Sequence, residues 1–334
     1  MKNIIPSLLL AACLGAASPA IAQIGNPGGA INDRLGDRDY GVCRGVDPVC
    51  FHNWPRAAVK QYRILVYTRT AGPRHGNLGT PLAPGINPAL GADNVVQREM
   101  LRIAQENGWA IDYTEDPAQM ANLSGYNAVV FISTSRDALD DNGKTALRQY
   151  MRAGGGFVAI HNAFGTMYNW PWYEGLLGNA NFYDHGPARD GDVVTLETKD
   201  ASTATLPPRW RFHDEWYNLI PFPTHVRFLA TIDEKSWDPA QDRRGPEGPP
   251  PAGPRPANFP PMSRYPSVVG RDPGHGTFHP VAWCQYYDGG KVWATTLGHD
   301  AKAFEKDGQP GAAQFQAMIV GGIKSVMGAA PFCR

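Results

Sequence analysis

The sequence predicts an α/β fold, a mainly parallel sheet with helices on both faces. Short apolar runs at 63–68, 128–132 and 157–160 read as strands buried on both sides. Helical patterns separate them, and strands alternating with helices build parallel crossover units. Asp288-Gly289-Gly290, between the apolar stretches 281–287 and 291–297, is a hairpin signal that adds antiparallel strands to this sheet.

The first residues belong to an address rather than a fold. Lys2 precedes an apolar run from Ile4 to Leu14, and Ala20-Ile21-Ala22 is a cleavage signal, so 1–22 reads as a signal peptide. The run is too short to span a bilayer, and an exported protein, periplasmic or extracellular, is expected. Leu10-Ala11-Ala12-Cys13 resembles a lipoprotein box, which leaves a lipid anchor on Cys13 as the alternative. Cys43, Cys50, Cys284 and Cys333 then remain, and four cysteines in an exported chain imply disulfides with three possible pairings. Cys43 with Cys50 closes the smallest loop, in a Gly, Asp and Arg rich N-terminal arm at 23–61, and leaves Cys284 for Cys333.

The domain proper is expected over 62–330. After the strand at 63–68 comes a Gly/Pro loop, 69–92, that carries Arg74-His75; a loop this long is functional or disordered. Asp93 is the expected cap of a helix to Asn107, with Val96, Met100 and Ile103 on one face and Gly108 as its stop. A strand at 109–113, a strand at 128–132 and a helix at 139–151 follow. Gly154-Gly155-Gly156 end that helix, and the strand 157–160 delivers His161 to its carboxyl end, where open α/β sheets bind ligands. A core histidine bonded to backbone is the competing reading.

The second half is less regular. A short helix opens at Asn169-Trp170-Pro171, and Tyr183-Asp184-His185 is expected in a loop. Strands are expected at 193–198 and 227–232, and Phe212-His213-Asp214-Glu215-Trp216-Tyr217 lies between them. The Pro/Gly-rich excursion at 235–277 cannot hold a ladder. Gly298-His299 follows the hairpin, and 312–327 is a closing helix carrying Phe315, Ile319, Ile323 and Val326.

Equal numbers of acidic and basic residues, 31 each, leave no electrostatic footprint of a nucleic-acid binder. No nucleotide cofactor and no membrane span are expected. The chemistry gathers on His75, His161, His185 and His299, each after a strand or in a loop leaving the sheet. With Asp214 and Glu215 they suit either a divalent metal such as Zn²⁺, with His161, His185 and His299 as candidate ligands, or metal-free acid–base work. Adjacent residues on a strand face opposite ways, so one of Asp214 and Glu215 faces the pocket, and Glu215 is the choice. His161, Glu215, Asp214 and His299 are the catalytic candidates. Trp170, Trp172, Tyr173 and Tyr217, with His75 and His185, are candidates for binding the apolar faces and hydroxyls of a sugar; the alternative for the aromatics is core packing.

Gly154-Gly155-Gly156-Phe157-Val158-Ala159-Ile160-His161, Trp170-Pro171-Trp172-Tyr173-Glu174-Gly175, Asp214-Glu215-Trp216-Tyr217, His279-Pro280-Val281-Ala282-Trp283 and Gly298-His299 occur in the order seen in the ThuA-like domain family. The chain resembles that family, named for a trehalose-utilisation protein, from about Tyr62 to Met327. The resemblance implies a flavodoxin-like, class I glutamine amidotransferase-like fold. Amidotransferases carry a nucleophilic cysteine at the turn where this chain has His161-Asn162-Ala163, so thiol-dependent glutamine hydrolysis is not expected. The implied activity is carbohydrate processing, on a disaccharide or a 3-keto-glycoside supplied by a partner sugar oxidoreductase. A non-catalytic periplasmic sugar-binding protein is the alternative. The implied polar positions are His75, His161, His185, Asp214, Glu215 and His299.

Overall fold

In the computed structural model the described residues are 41–54, 60–237 and 274–334. The expected signal peptide, Cys13, most of the arm before Gly41 and the excursion between Trp237 and Gly274 lie outside them. Parallel strands β2 (Arg63–Tyr67), β3 (Ala110–Thr114), β4 (Ala128–Ile132) and β5 (Gly156–Ile160) form where the apolar runs stand, because a strand covered on both faces needs no polar alternation. The helices between them are α1 (Val95–Glu106) and α2 (Asp141–Arg152). Beyond β5 come α3 (Pro171–Leu176), β6 (Phe182–His185), β7 (Arg189–Thr195), β8 (Arg209–Asp214), β9 (Tyr217–Leu219) and β10 (Arg227–Asp233). The hairpin β11 (His279–Tyr287) and β12 (Gly290–Thr295), then α4 (Ala301–Phe304) and α5 (Ala312–Met327), complete the unit. Asp288 and Gly289 both have positive φ, the mirror-image turn that a two-residue hairpin requires.

The main sheet runs β3-β2-β4-β5-β12-β11-β10-β7-β8. The strands from β3 to β12 are parallel and those from β12 to β8 antiparallel. The fold class is the expected one, with an antiparallel part larger than one hairpin. β1 (Arg44–Gly45) in the arm pairs with β11, and β6 with β9 form a small second sheet. Val66, Val130, Val158 and Ile160 pack on one face under α1, α4 and α5. Leu65, Phe131, Phe157 and Ala159 pack on the other under α2 and α3. Gly156 lets α5 lie on β5: a Cβ there would stand 2.8 Å from the Val326 carbonyl oxygen.

Several local expectations are corrected. Asn94, not Asp93, stands at the N-cap of α1, because the Asp93 carboxylate is taken by the Thr80 N–H and hydroxyl, each at 2.7 Å. The helix expected from 139 begins at Asp141, since Asp140 caps it by accepting from Gly143 N. Tyr183-Asp184-His185 is a strand, paired with β9, rather than a loop. The stretch 212–217 is not one strand: the chain turns after Asp214, and β9 leaves in a separate sheet.

Cys43–Cys50 and Cys284–Cys333 are both bonded, the state of an oxidising compartment. Among the described residues no helix is long and apolar enough to cross a membrane. The second disulfide spans 49 residues and ties the C-terminus to β11. Closing a loop of that length restricts the unfolded chain, so a Cys284→Ala/Cys333→Ala protein is expected to lose about 2–4 kcal/mol of stability, read from the urea midpoint.

Candidate active site

Four imidazoles converge on one carboxylate beyond the carboxyl ends of the parallel strands. His161 follows β5 at the mouth of a tight turn, with φ 54°. A left-handed backbone costs a non-glycine residue roughly 1–2 kcal/mol, and here it turns the ring away from the strand. The ring is fully buried. Its Nδ1 donates to the Thr296 carbonyl at 2.9 Å, which leaves Nε2 as the lone pair, and the Tyr217 hydroxyl donates to it at 2.8 Å.

His75 is placed by the long loop, which is ordered. Arg74 donates to the Gly79, Leu78 and Thr80 carbonyls and pairs with Glu115 at 2.8 Å. Asn77 then donates to the Gly298 carbonyl at 2.9 Å. The His75 ring packs edge-on against His161, centroids 4.7 Å apart, and against His299 at 5.3 Å. His299 sits just past β12 where Gly298 takes φ 117°. A side chain at 298 would also meet Phe315, Ile160 and Phe304 within 3.0–3.3 Å. His185 ends β6, opposite Tyr217 in the ladder, and its Nδ1 donates to the Gly186 carbonyl.

Asp214 and Glu215 part at the turn after β8. Asp214 is buried and points into backbone: it accepts from Gly298 N at 2.7 Å, Glu215 N at 2.9 Å and His299 N at 3.1 Å. Its oxygens are thereby used in holding the loop. Glu215 faces the histidines, with Oε2 at 3.0 Å from His299 Nδ1, 3.5 Å from His185 Nε2 and 3.9 Å from His161 Nε2. The His299 contact has ion-pair distance without the alignment of a hydrogen bond.

The environments pull these groups apart. Burial takes His161 well below the usual histidine value, and the neighbouring His75 and His299 act the same way. Burial, aided by His299, takes His75 down to about 4. Burial also opposes charge on His299, but contact with Glu215 and the charges of Glu215 and Asp214 outweigh it and hold its pKa up. Glu215 is held below the usual carboxylate value, since His299 and the charges of His185 and His75 overcome its burial. Burial pushes Asp214 up to about 7 against the N–H groups that pull it down. Burial and the charges of Glu215 and Asp214 keep Tyr217 a neutral phenol. The result is a contrast within one site: burial disfavours charge on His161 and His75, while Glu215 favours the protonated form of His299 and His299 favours the ionised form of Glu215.

Ligating atoms of His75, His161, Glu215 and His299 all lie within 4.8 Å of one another. Three imidazoles and a carboxylate form a donor set that suits Zn²⁺. His75 Nδ1 is buried and meets no hydrogen-bond partner among the described residues, while Nε2 stands 3.5 Å from the Tyr217 hydroxyl. His185 lies outside this set, in place of which His75 enters.

Of the sequence-selected aromatics, Tyr217 reaches the cluster. Trp172 is buried and donates to Asp288 at the hairpin turn, at the opposite end of β12 from His299. Tyr173 is buried and donates to the Ala163 carbonyl, and Trp170 stacks on both. They are the cover of one face of the sheet, because α3 turns its aromatic side inward. The site also contains residues that the sequence analysis passed over. Phe182 packs on Tyr217, centroids 4.4 Å apart, and on His185 at 5.7 Å. Thr296 orients His161 through a backbone carbonyl, a contact with no sequence signal.

Residues 63–325 match the family profile described as trehalose utilisation. No curated protein sequence matches the chain. Among solved structures, the fold is similar to that of a putative ThuA-like protein of Bacteroides uniformis, with TM-score 0.54 and 17% identity over 82% of this chain and 95% of that one. A putative ThuA-like protein of Parabacteroides merdae gives TM-score 0.52 and 15% identity over 81% and 91%.

The buried bonds of Asp214 set an expectation. Asp214→Ala leaves N–H groups of Gly298, His299 and Glu215 without their acceptor, at about 1–3 kcal/mol for each buried group. Its urea midpoint should fall far more than that of Glu215→Gln, whose carboxamide stays beside the histidines.

Proposed function

The chain belongs to the ThuA, trehalose-utilisation, family, and from that premise we propose that it is an exported enzyme that processes a carbohydrate, a disaccharide or a 3-keto-glycoside, by histidine and carboxylate acid–base chemistry. The carrying observation is the convergence of His75, His161, His185 and His299 on Glu215, with the Tyr217 phenol on His161 Nε2. Neutral imidazole next to an imidazolium–carboxylate pair suits a reaction that takes a proton at one atom and gives one at another.

On a 3-keto-glycoside, the Tyr217 hydroxyl passes its hydrogen bond from His161 Nε2 to the ketone oxygen of the substrate, and the freed Nε2 takes the proton from the carbon between the ketone and the anomeric carbon. That C–H electron pair becomes a C=C bond as the anomeric C–O bond breaks, and the leaving oxygen receives a proton from His299. Glu215 orients His299 and stabilises its charge. Phe182, half-buried beside Tyr217, offers an aromatic surface to the sugar ring. A partner sugar oxidoreductase would supply the keto group. A second reading is favoured by the proximity of the four ligating atoms: His75, His161, His299 and Glu215 would hold a divalent ion such as Zn²⁺, which supplies Lewis-acid polarisation of a carbonyl oxygen.

The test is a panel of disaccharides and keto-glycosides read by thermal shift and then by turnover, on protein purified without chelator and assayed for metal. A ligand that binds the native state raises the melting temperature by mass action. His161→Ala is expected to stay folded and to lose about a hundred- to ten-thousandfold in kcat. Unchanged turnover would refute the assignment of His161, and binding without any product would make the protein a sugar receptor.

A further inference from the structure

Next to Tyr217 lies a second set of histidines, His275 and His279, outside the cluster around Glu215. Glu234 opens a 3-10 turn at the end of β10. Its carboxylate accepts from the backbone N–H groups of His275 and Gly276, and Oε1 stands 2.8 Å from His279 Nδ1. His279, fully buried, uses Nε2 to donate to the Tyr217 carbonyl at 2.9 Å. His275 Nε2 accepts from Leu219 N at 3.0 Å. The two rings meet edge-on, centroids 4.7 Å apart.

We propose that Glu234 and His279 are positioning residues: they hold the backbone at Tyr217 so that, before substrate enters, its phenol is seated on His161 Nε2. β9 is three residues long and among the described residues pairs with β6 alone, so its own ladder does not fix it. The grip from His279 and His275 supplies what the ladder lacks, at both ends of the strand. One carboxylate organises it, since Glu234 binds His279 through the ring and His275 through the backbone. The same grip acts on the other side of the site. His185 lies opposite Tyr217 in the β6–β9 ladder, so the register that seats the phenol also seats His185 near Glu215. Burying an imidazole and a carboxylate is costly unless every polar atom is partnered. An apolar residue could fill the place of His279 at the start of β11, but it could not hold the Tyr217 carbonyl. Hydrogen-bonded partners behind a working histidine are how sites of this kind fix ring orientation. The functional weight of this inference rests on the reading of His161 as the base, but its test does not depend on turnover.

The experiment is imidazole ¹⁵N NMR of the full chain labelled on histidine, at pH 7 and dialysed against EDTA. The His161 resonances are assigned by their loss in His161→Gln. Tyr217→Phe defines the Nε2 shift of His161 without its hydroxyl donor. His279→Leu is expected to move Nε2 most of the way to that value. His279→Gln, whose amide N–H can reach the same carbonyl, should restore it. In the Tyr217→Phe background His279→Leu should add nothing, because the effect runs through the phenol. Folded His279→Leu with an unmoved His161 Nε2 overturns the proposal. So does a His279→Gln protein as shifted as His279→Leu, or a shift that survives in the Tyr217→Phe background. Should His279→Leu fail to fold, Glu234→Gln takes its place: a shift of Nε2 toward the Tyr217→Phe value supports the proposal, and none refutes it. Failure of every sugar in the turnover panel, with these shifts present, would overturn the enzymatic reading and leave the positioning intact.

Discussion

The site depends on Asp214 reaching Gly298. β8 and β12 lie four strands apart in the sheet order, which in a flat sheet is about 19 Å. Yet the Asp214 carboxylate receives the Gly298 N–H at 2.7 Å and the His299 N–H at 3.1 Å. The antiparallel half must therefore coil back over the carboxyl ends of the parallel half. The register shifts between β10 and β11, around Ala230, are the kind of irregularity that bends a sheet. Phe212 of β8 packs on Phe315 of α5, 5.4 Å between centroids, and helps to hold the returned edge in place.

That closure explains how one carboxylate serves so many histidines. His161 and His299 leave neighbouring parallel strands β5 and β12, so sheet geometry alone makes them close. His75 is brought over them by a loop whose carbonyls are gathered by Arg74 and Asn94. Glu215 and Tyr217 arrive from the far edge of the sheet. The environments then divide the imidazoles: burial disfavours charge on His161 and His75, and Glu215 favours a proton on His299. His161 at a strained strand-to-turn position is the placement that nucleophile elbows use for their reactive residue. Here it carries an imidazole.

The aromatics show why residue type alone did not find the site. Trp170, Trp172, Tyr173 and Tyr217 all stand beside polar motifs in the sequence. α3 is short and lies with its aromatic face on the sheet, so three of them are consumed in packing. Tyr217 escapes because the chain breaks β8 at Asp214 and starts a new strand in another sheet. That break was not legible, since no Gly or Pro interrupts 212–217. Glu234 was equally silent: its partners lie more than forty residues ahead, across a Pro/Gly-rich stretch.

By itself the sequence determined the elements that need only local or periodic information. These are the buried strands, the amphipathic helices, the Asp288-Gly289 turn, and the delivery of His161 and His299 to strand ends. The even cysteine count fitted the pairs found, because a small loop closes most readily and leaves one choice for the rest. Tertiary structure alone decided that Asp214 spends its oxygens on backbone N–H groups, that His75 rather than His185 stands with His161, His299 and Glu215 in the set of close ligating atoms, and that Trp172 and Tyr173 pack away from the histidines. Those outcomes follow from the curvature of the sheet and from which buried N–H groups lack an acceptor. Both are sums over residues far apart in the chain, and no local pattern encodes them.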